Sequence, residues 1–188
     1  MRVAAVVMAA GASRRLGEPK QLVRLGEETL LERAVRVARE AGCAPVVVVL
    51  GASADLIRRA CALEDAAVVV NEDWASGVGT SIAVGIGVLG VVDGCVVMTC
   101  DMPAVTVEHV LGLVEEGSRG EVVGSSYAGR RGVPAYFPVA LFKELRELRG
   151  DIGARGLLKG GGVVGLEGGE LDVDTVEDLA RMRERFGS

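Results

Sequence analysis

The chain has 188 residues, 49% of them hydrophobic and only 3% aromatic, with a formal net charge of −5. That length and apolar content suit one domain spanning residues 1–188, with a core of branched aliphatics. The acidic balance argues against a nucleic-acid partner, which calls for clustered Lys and Arg, and the absence of an apolar run of about 18 residues argues against a membrane partner.

The first apolar run of strand length is Val3 to Ala9. With Met1-Arg2 before it and Gly11-Ala12 after, it imitates a short signal peptide, a reading set aside because cleavage would cripple the charged glycine loop that follows. A helix is expected from Glu28 to Ala41, with Leu30, Leu31, Ala34, Val35 and Ala38 on one stripe and Gly42 as its stop. Pro45 to Leu50 reads as the second strand. A helix beginning near Ser53 then places Leu56, Ile57 and Ala60 inward, and Ala66 to Val70 reads as the third strand. Gly77 to Gly90 is a helix so rich in glycine that it must pack closely on a neighbour or touch a ligand. Cys95 to Thr99 forms the fourth strand.

Beyond it, Val107 to Val114 reads as a helix, Glu121 to Ser126 as a strand and Leu141 to Leu148 as a helix. A glycine-rich stretch, Gly160 to Gly169, precedes a last helix announced by the capping-box spacing of Thr175 and Asp178. Valine-rich strands joined by helices give an α/β class, a three-layer α/β/α sandwich on a mostly parallel sheet with room for one antiparallel strand. Cys43, Cys61, Cys95 and Cys100 contain no CxxC pair and read as buried free thiols in a reducing cytoplasm.

In such a sheet ligands bind at the carboxyl ends of the strands. After Ala9 comes Ala10-Gly11-Ala12-Ser13-Arg14-Arg15-Leu16-Gly17-Glu18-Pro19-Lys20, whose main-chain N–H groups and cations suit a triphosphate; a solvated basic turn is the alternative. The loop has neither Walker nor GxGxxG spacing, so P-loop hydrolysis and dinucleotide binding lose support. After the third strand, Asn71 to Ser81 suits a ribose, a base edge or a phosphate, or an ordinary capped helix. Asp101, at the end of the fourth strand in Met98-Thr99-Cys100-Asp101-Met102-Pro103, is read as an exposed carboxylate that could ligate magnesium or cap a helix. Asp172 and Asp174 could bring a second carboxylate or cap the last helix. The single histidine, His109, falls on an amphipathic helix and reads as structural. Without it no Ser-His-Asp or Cys-His set can be built, which disfavours acyl chemistry. Phosphoryl or nucleotidyl transfer needs no such base.

Taken together these loops resemble the MobA-like nucleotidyltransferases, and among them the MocA-like molybdenum cofactor cytidylyltransferases. The resemblance rests on Ala9 to Gly17 with Pro19-Lys20, on Asn71, Trp74, Gly77 and Ser81, and on Cys100-Asp101-Met102-Pro103. Further matches are Gly132-Val133-Pro134-Ala135, Gly150 to Arg155, and Asp172 to Thr175 with Glu177-Asp178-Leu179. It implies a nucleotide-diphospho-sugar transferase-like, Rossmann-type fold and transfer of CMP from CTP to molybdopterin phosphate, with molybdenum bound and pyrophosphate released. Carried onto this chain, it assigns catalysis to Arg14, Lys20 and Asp101, and nucleotide contacts to Ala9, Ala10, Gly11, Lys20, Asn71, Gly77, Ser81 and Asp101. Mg2+ would be held by Asp101 and Asp174. The loops around Gly132 to Pro134 and Asp151 to Arg155 would face the pterin, and a molybdoenzyme would receive the product. Met102 stands where the family usually has Gln. Ala10-Gly11 and Pro19-Lys20 favour cytidine over guanosine, because the guanylyl-transferring relatives carry two glycines and an acidic residue there. A guanylyltransferase, a transferase for another phosphorylated acceptor and a noncatalytic cofactor carrier are the competing expectations.

Overall fold

The computed structural model describes residues 1–187. Strand β1 (Val3–Ala9) is buried at every position. A short 3-10 turn, Lys20–Leu22, follows its loop and leads to a two-stranded ribbon, β2 (Arg24–Leu25) and β3 (Glu28–Thr29). Helix α1 (Leu30–Glu40) starts two residues later than the periodicity suggests, because Glu28–Thr29 pair with β2 and Thr29 is the N-cap, in a reciprocal capping box with Glu32. Then come β4 (Val46–Leu50), α2 (Ala54–Ala60), β5 (Ala67–Val70), α3 (Val78–Gly87) and β6 (Gly94–Thr99). The remainder is α4 (Val107–Gly117), β7 (Val123–Tyr127), β8 (Arg130–Pro138), α5 (Phe142–Arg146), β9 (Gly162–Gly165) and α6 (Val176–Phe186).

Seven strands form one mixed sheet in the order β5-β4-β1-β6-β8-β7-β9, with β8 antiparallel to both neighbours and the other pairings parallel. Alternate residues of β1 feed opposite cores. Val3, Ala5, Val7 and Ala9 pack with α1 and α4, whereas Ala4, Val6 and Met8 pack with Ile82 and Ile86 of α3 and Phe142 and Leu145 of α5. Both faces of the sheet are thus covered, which is why its central strands are continuous apolar runs rather than alternating ones.

Three expectations need correction. Of the inward set proposed for α2, only Ile57 is buried; Leu56 is 46% exposed and Ala60 is also exposed, because this short helix offers a single residue to the core. Gly132–Pro134 is no loop but part of the nine-residue strand β8. Its glycine and proline hide the strand pattern, and a register irregularity at Gly124/Ser125 of β7 accommodates them. The glycine-rich stretch after Gly160 also contains an edge strand, β9.

The glycines of α3 divide by position. A Cβ on Gly85 would lie 2.4 Å from Val6 Cγ1 and 2.9 Å from Val49 Cγ2, so the helix sits directly on the sheet there, while Gly87 faces open space. A third core, built from Leu16, Val23, Leu30, Leu171, Val173, Leu179 and Met182, joins the loop after β1 to α6. This cluster brings the loop after β1 and the last helix together.

Candidate active site

The loop after β1 is held by side chains rather than by phosphate-loop geometry. Ser13 adopts φ 50°, and its carbonyl accepts from the N–H groups of Leu16 and Gly17 at 3.1 and 3.2 Å. Its hydroxyl accepts from the Lys20 N–H at 3.0 Å. Gln21 is fully buried, and its amide donates to the carbonyls of Ala9 (2.7 Å) and Gly11 (3.0 Å), tying the loop's end to its start. Gln21 was not singled out from the sequence, since a buried glutamine beside a lysine looks like any polar turn residue.

Lys20 reaches two aspartates distant in sequence. Its Nζ donates to Asp101 Oδ2 and, at 2.7 Å, to Asp174 Oδ1. Asp174 also accepts from Arg15 Nη2 at 2.8 Å. Asp101, expected to be exposed, is 8% exposed: it lies in the turn after β6, and its carbonyl accepts from the N–H of Val173 at 3.0 Å. Burial would lower the pKa of Lys20, but the Asp101 charge, its hydrogen bond and that from Asp174 more than reverse this, so the ammonium is held firmly charged. Asp172 lies beside them: burial, and then repulsion from Asp101 and Asp174, push its carboxyl up to about 6. The capping of α6 is carried by Thr175 and Asp178, which leaves the side chain of Asp174 to Lys20 and Arg15.

Two cavities meet at Asp101. The smaller, about 210 Å³, is lined by Ala9, Ala10, Gly11, Lys20 and Ser81 together with Gln21 and Trp74. The larger, about 510 Å³, takes in Tyr127, Arg130, Asp151, Arg155 and Asp172, with Gly132 and Val133 contributed by β8. Three residues expected at the nucleotide line neither cavity. Asn71 is buried behind Ser81, its amide donating to Ser81 Oγ (2.8 Å) and Thr80 Oγ1 (2.9 Å), which orients the start of α3. Gly77 has φ 115°, and a Cβ there would lie 2.2 Å from the carbonyl carbon of Gly150, so it clamps the two loops together. Arg14 is exposed, and it is its neighbour Arg15 that reaches Asp174. His109 lines neither cavity; it is buried, its Nε2 2.7 Å from Ser125 Oγ.

Asp101 Oδ1 is buried without a hydrogen-bond partner. A buried anionic oxygen with spare capacity suits a hard divalent cation. Among the described residues, no group of three or more His, Cys, Asp or Glu side chains forms a complete cage. One or two aspartates that share an ion with substrate phosphates match what Mg2+ prefers. No helix among the described residues is long and apolar enough to cross a membrane.

The MobA-like NTP transferase domain model matches residues 5–167. Nicotine blue oxidoreductase of Paenarthrobacter nicotinovorans is 34% identical over 96% of each chain. Purine catabolism protein PucB of Bacillus subtilis is 32% identical over 95% of this chain and 94% of its own. A probable molybdenum cofactor guanylyltransferase of Opitutus terrae is 55% identical, but over 25% of this chain and 23% of its own. Among solved structures, Rv0371c of Mycobacterium tuberculosis superposes with TM-score 0.87 at 34% identity over 98% of both chains. A complex of Rv0371c with manganese gives TM-score 0.81 at 32% identity, over 98% of this chain and all of the other. From the span of the family match and the full-length relatives, the chain belongs to the MobA-like NTP transferase domain family.

Proposed function

We propose that the chain, acting as one domain, is a cytoplasmic cytidylyltransferase that moves CMP from CTP to the phosphate of molybdenum-bound molybdopterin. The carrying observation is that Lys20, in the smaller cavity, joins Asp101, which lines both cavities, to Asp174. A phosphate oxygen of the acceptor attacks the α-phosphorus of CTP, the bond to the pyrophosphate oxygen breaks, and the products are the cytosine dinucleotide and pyrophosphate. The acceptor oxygen is already anionic, so no base is required, and the protein's work is alignment and charge stabilisation.

In this reading the smaller cavity takes the nucleotide. Gly11 and Lys20 hold the triphosphate with help from Arg14, and Asn71 acts through Ser81, which it orients. The larger cavity takes the pterin, with Arg130 and Arg155 offsetting its phosphate charge against Asp151 and Asp172. Asp101 and Asp174 would hold Mg2+, which when bound supplies Lewis-acid stabilisation of phosphate oxygens. The manganese complex of Rv0371c supports a divalent ion in this fold, and the four free, buried cysteines support a reducing compartment. A molybdoenzyme would take up the product.

Cytidine is favoured by Ala10-Gly11 and Pro19-Lys20, in a selectivity typically worth about 1–3 kcal/mol. The short match to a guanylyltransferase favours the rival base. Pyrophosphate release is measured with purified protein, Mg2+, molybdopterin and either CTP or GTP. Faster turnover with GTP overturns the cytidine assignment; no release with either, from folded protein that still binds molybdopterin, favours a noncatalytic carrier.

A further inference from the structure

Lys20 is one of three lysines in the chain, and its ammonium lies where the reading above requires a cation. It touches one oxygen each of Asp101 and Asp174, with side-chain exposures of 16% for Lys20 and 11% for Asp101. Arg15 occupies only the outer oxygen of Asp174. Of these two cations, Lys20 is therefore the one that keeps Asp101 and Asp174 together.

We propose that Lys20 is a built-in stand-in for the divalent ion: it bridges Asp101 and Asp174 in the nucleotide-free protein, and a metal ion takes those oxygens only as the ammonium leaves. The proposal rests on the reading that these carboxylates hold a divalent cation. A second positive charge cannot share the same two oxygens at contact distance without strong repulsion in a partly buried site. Leaving is costly for Lys20 unless another anion receives it, and the triphosphate that arrives in the adjoining cavity is such an anion. Metal and nucleotide binding are thus coupled through one side chain, and by linkage each favours the other. Bare metal binds more weakly while the smaller cavity is empty, which keeps the aspartates from holding an ion readily without substrate.

The test uses Mn2+ alone on the full chain, without nucleotide. Mn2+ affinity is measured by electron paramagnetic resonance for wild type, Lys20→Met, Lys20→Gln and Lys20→Arg, with Asp101→Asn as the site control. The uncharged variants are expected to bind Mn2+ about tenfold more tightly than wild type, a coupling of ordinary size, and Lys20→Arg to stay near wild type. In parallel, reductive methylation followed by mass spectrometry reports on the lysines of wild type, with exposed Lys143 and Lys159 as internal references. Lys20 should react slowly in metal-free protein and faster at saturating Mn2+. Unchanged or weaker Mn2+ binding by the folded uncharged variants, or a Lys20 reactivity indifferent to bound Mn2+, overturns the stand-in. Mn2+ binding that Asp101→Asn leaves intact instead overturns the metal assignment itself, so the two failures are distinguishable.

Discussion

Replacing Asp101 by Asn preserves shape and removes one charge, which separates the carboxylate's contribution to folding from its contribution to chemistry. Breaking a buried ion pair from one side generally costs about 3–5 kcal/mol because it strands the partner. Here Lys20 keeps Asp174 at 2.7 Å, and the neutral Asn also relieves part of what opposes ionisation of Asp172, which is raised first by burial and then by repulsion from Asp101 and Asp174. The expected loss is therefore nearer that of one charge-assisted hydrogen bond, about 1–3 kcal/mol, within the 5–15 kcal/mol typical of a native domain. Urea unfolding should show a cooperative transition at a lower midpoint with an unchanged slope. Turnover in the pyrophosphate assay should fall on the order of 10²–10³-fold, as when a preorganised electrostatic contact to the transition state is removed. A folded Asp101→Asn protein with turnover within threefold of wild type would refute the reasoning and move the charged centre elsewhere.

The other predictions concern neighbouring parts of the structure. Lys20→Ala should depress turnover with CTP and Lys20→Arg should restore it only in part, since a planar fork cannot reproduce a point charge between two aspartates; equal rates for all three proteins would remove Lys20 from the mechanism. Gly85→Ala should cost about 1–3 kcal/mol through overpacking against Val6 and Val49, and an unshifted urea midpoint would show that α3 can back away freely. For His109, burial lowers the pKa from its ordinary 6.5, a backbone hydrogen bond with Gly165 opposing. The unfolded chain therefore takes up the proton first as pH falls, and stability declines below pH 6.5 through the folded-state value. His109→Gln should flatten that decline, and parallel stability–pH curves for the two proteins would contradict it.

Much of the sheet was legible because its signals are local. Val3–Ala9, Val46–Leu50, Ala67–Val70 and Gly94–Thr99 are dense runs of β-branched and small apolar residues bounded by glycine or polar turns, and a strand buried on both faces needs little more. The capping box at Thr175/Asp178 is equally local, whereas the one at Thr29/Glu32 was overlooked and α1 was expected two residues early. β8 and β9 were missed because their glycines and Pro134 make the segments read as turns. Their strand conformation comes from neighbours supplied by β6 and β7, and no window of the sequence contains that information.

The candidate site divides along the same line. The chemical alphabet, a glycine loop with cations after β1 and aspartates at Asp101, Asp172 and Asp174, stands in the sequence as residue types, each of which could equally serve a turn or a helix cap. Which cation meets which carboxylate does not. Lys20 rather than Arg14 faces Asp101 and Arg15 holds Asp174, because the third core of Leu16, Val173 and Met182 docks α6 onto the first loop, and Asn71 supports Ser81 from behind. Sequence alone determined the class of fold and the kinds of groups available. Tertiary structure decided their partners, since charges are paired by distances between segments more than 150 residues apart, and those distances follow from the packing of apolar side chains that carry no chemical signature of their own.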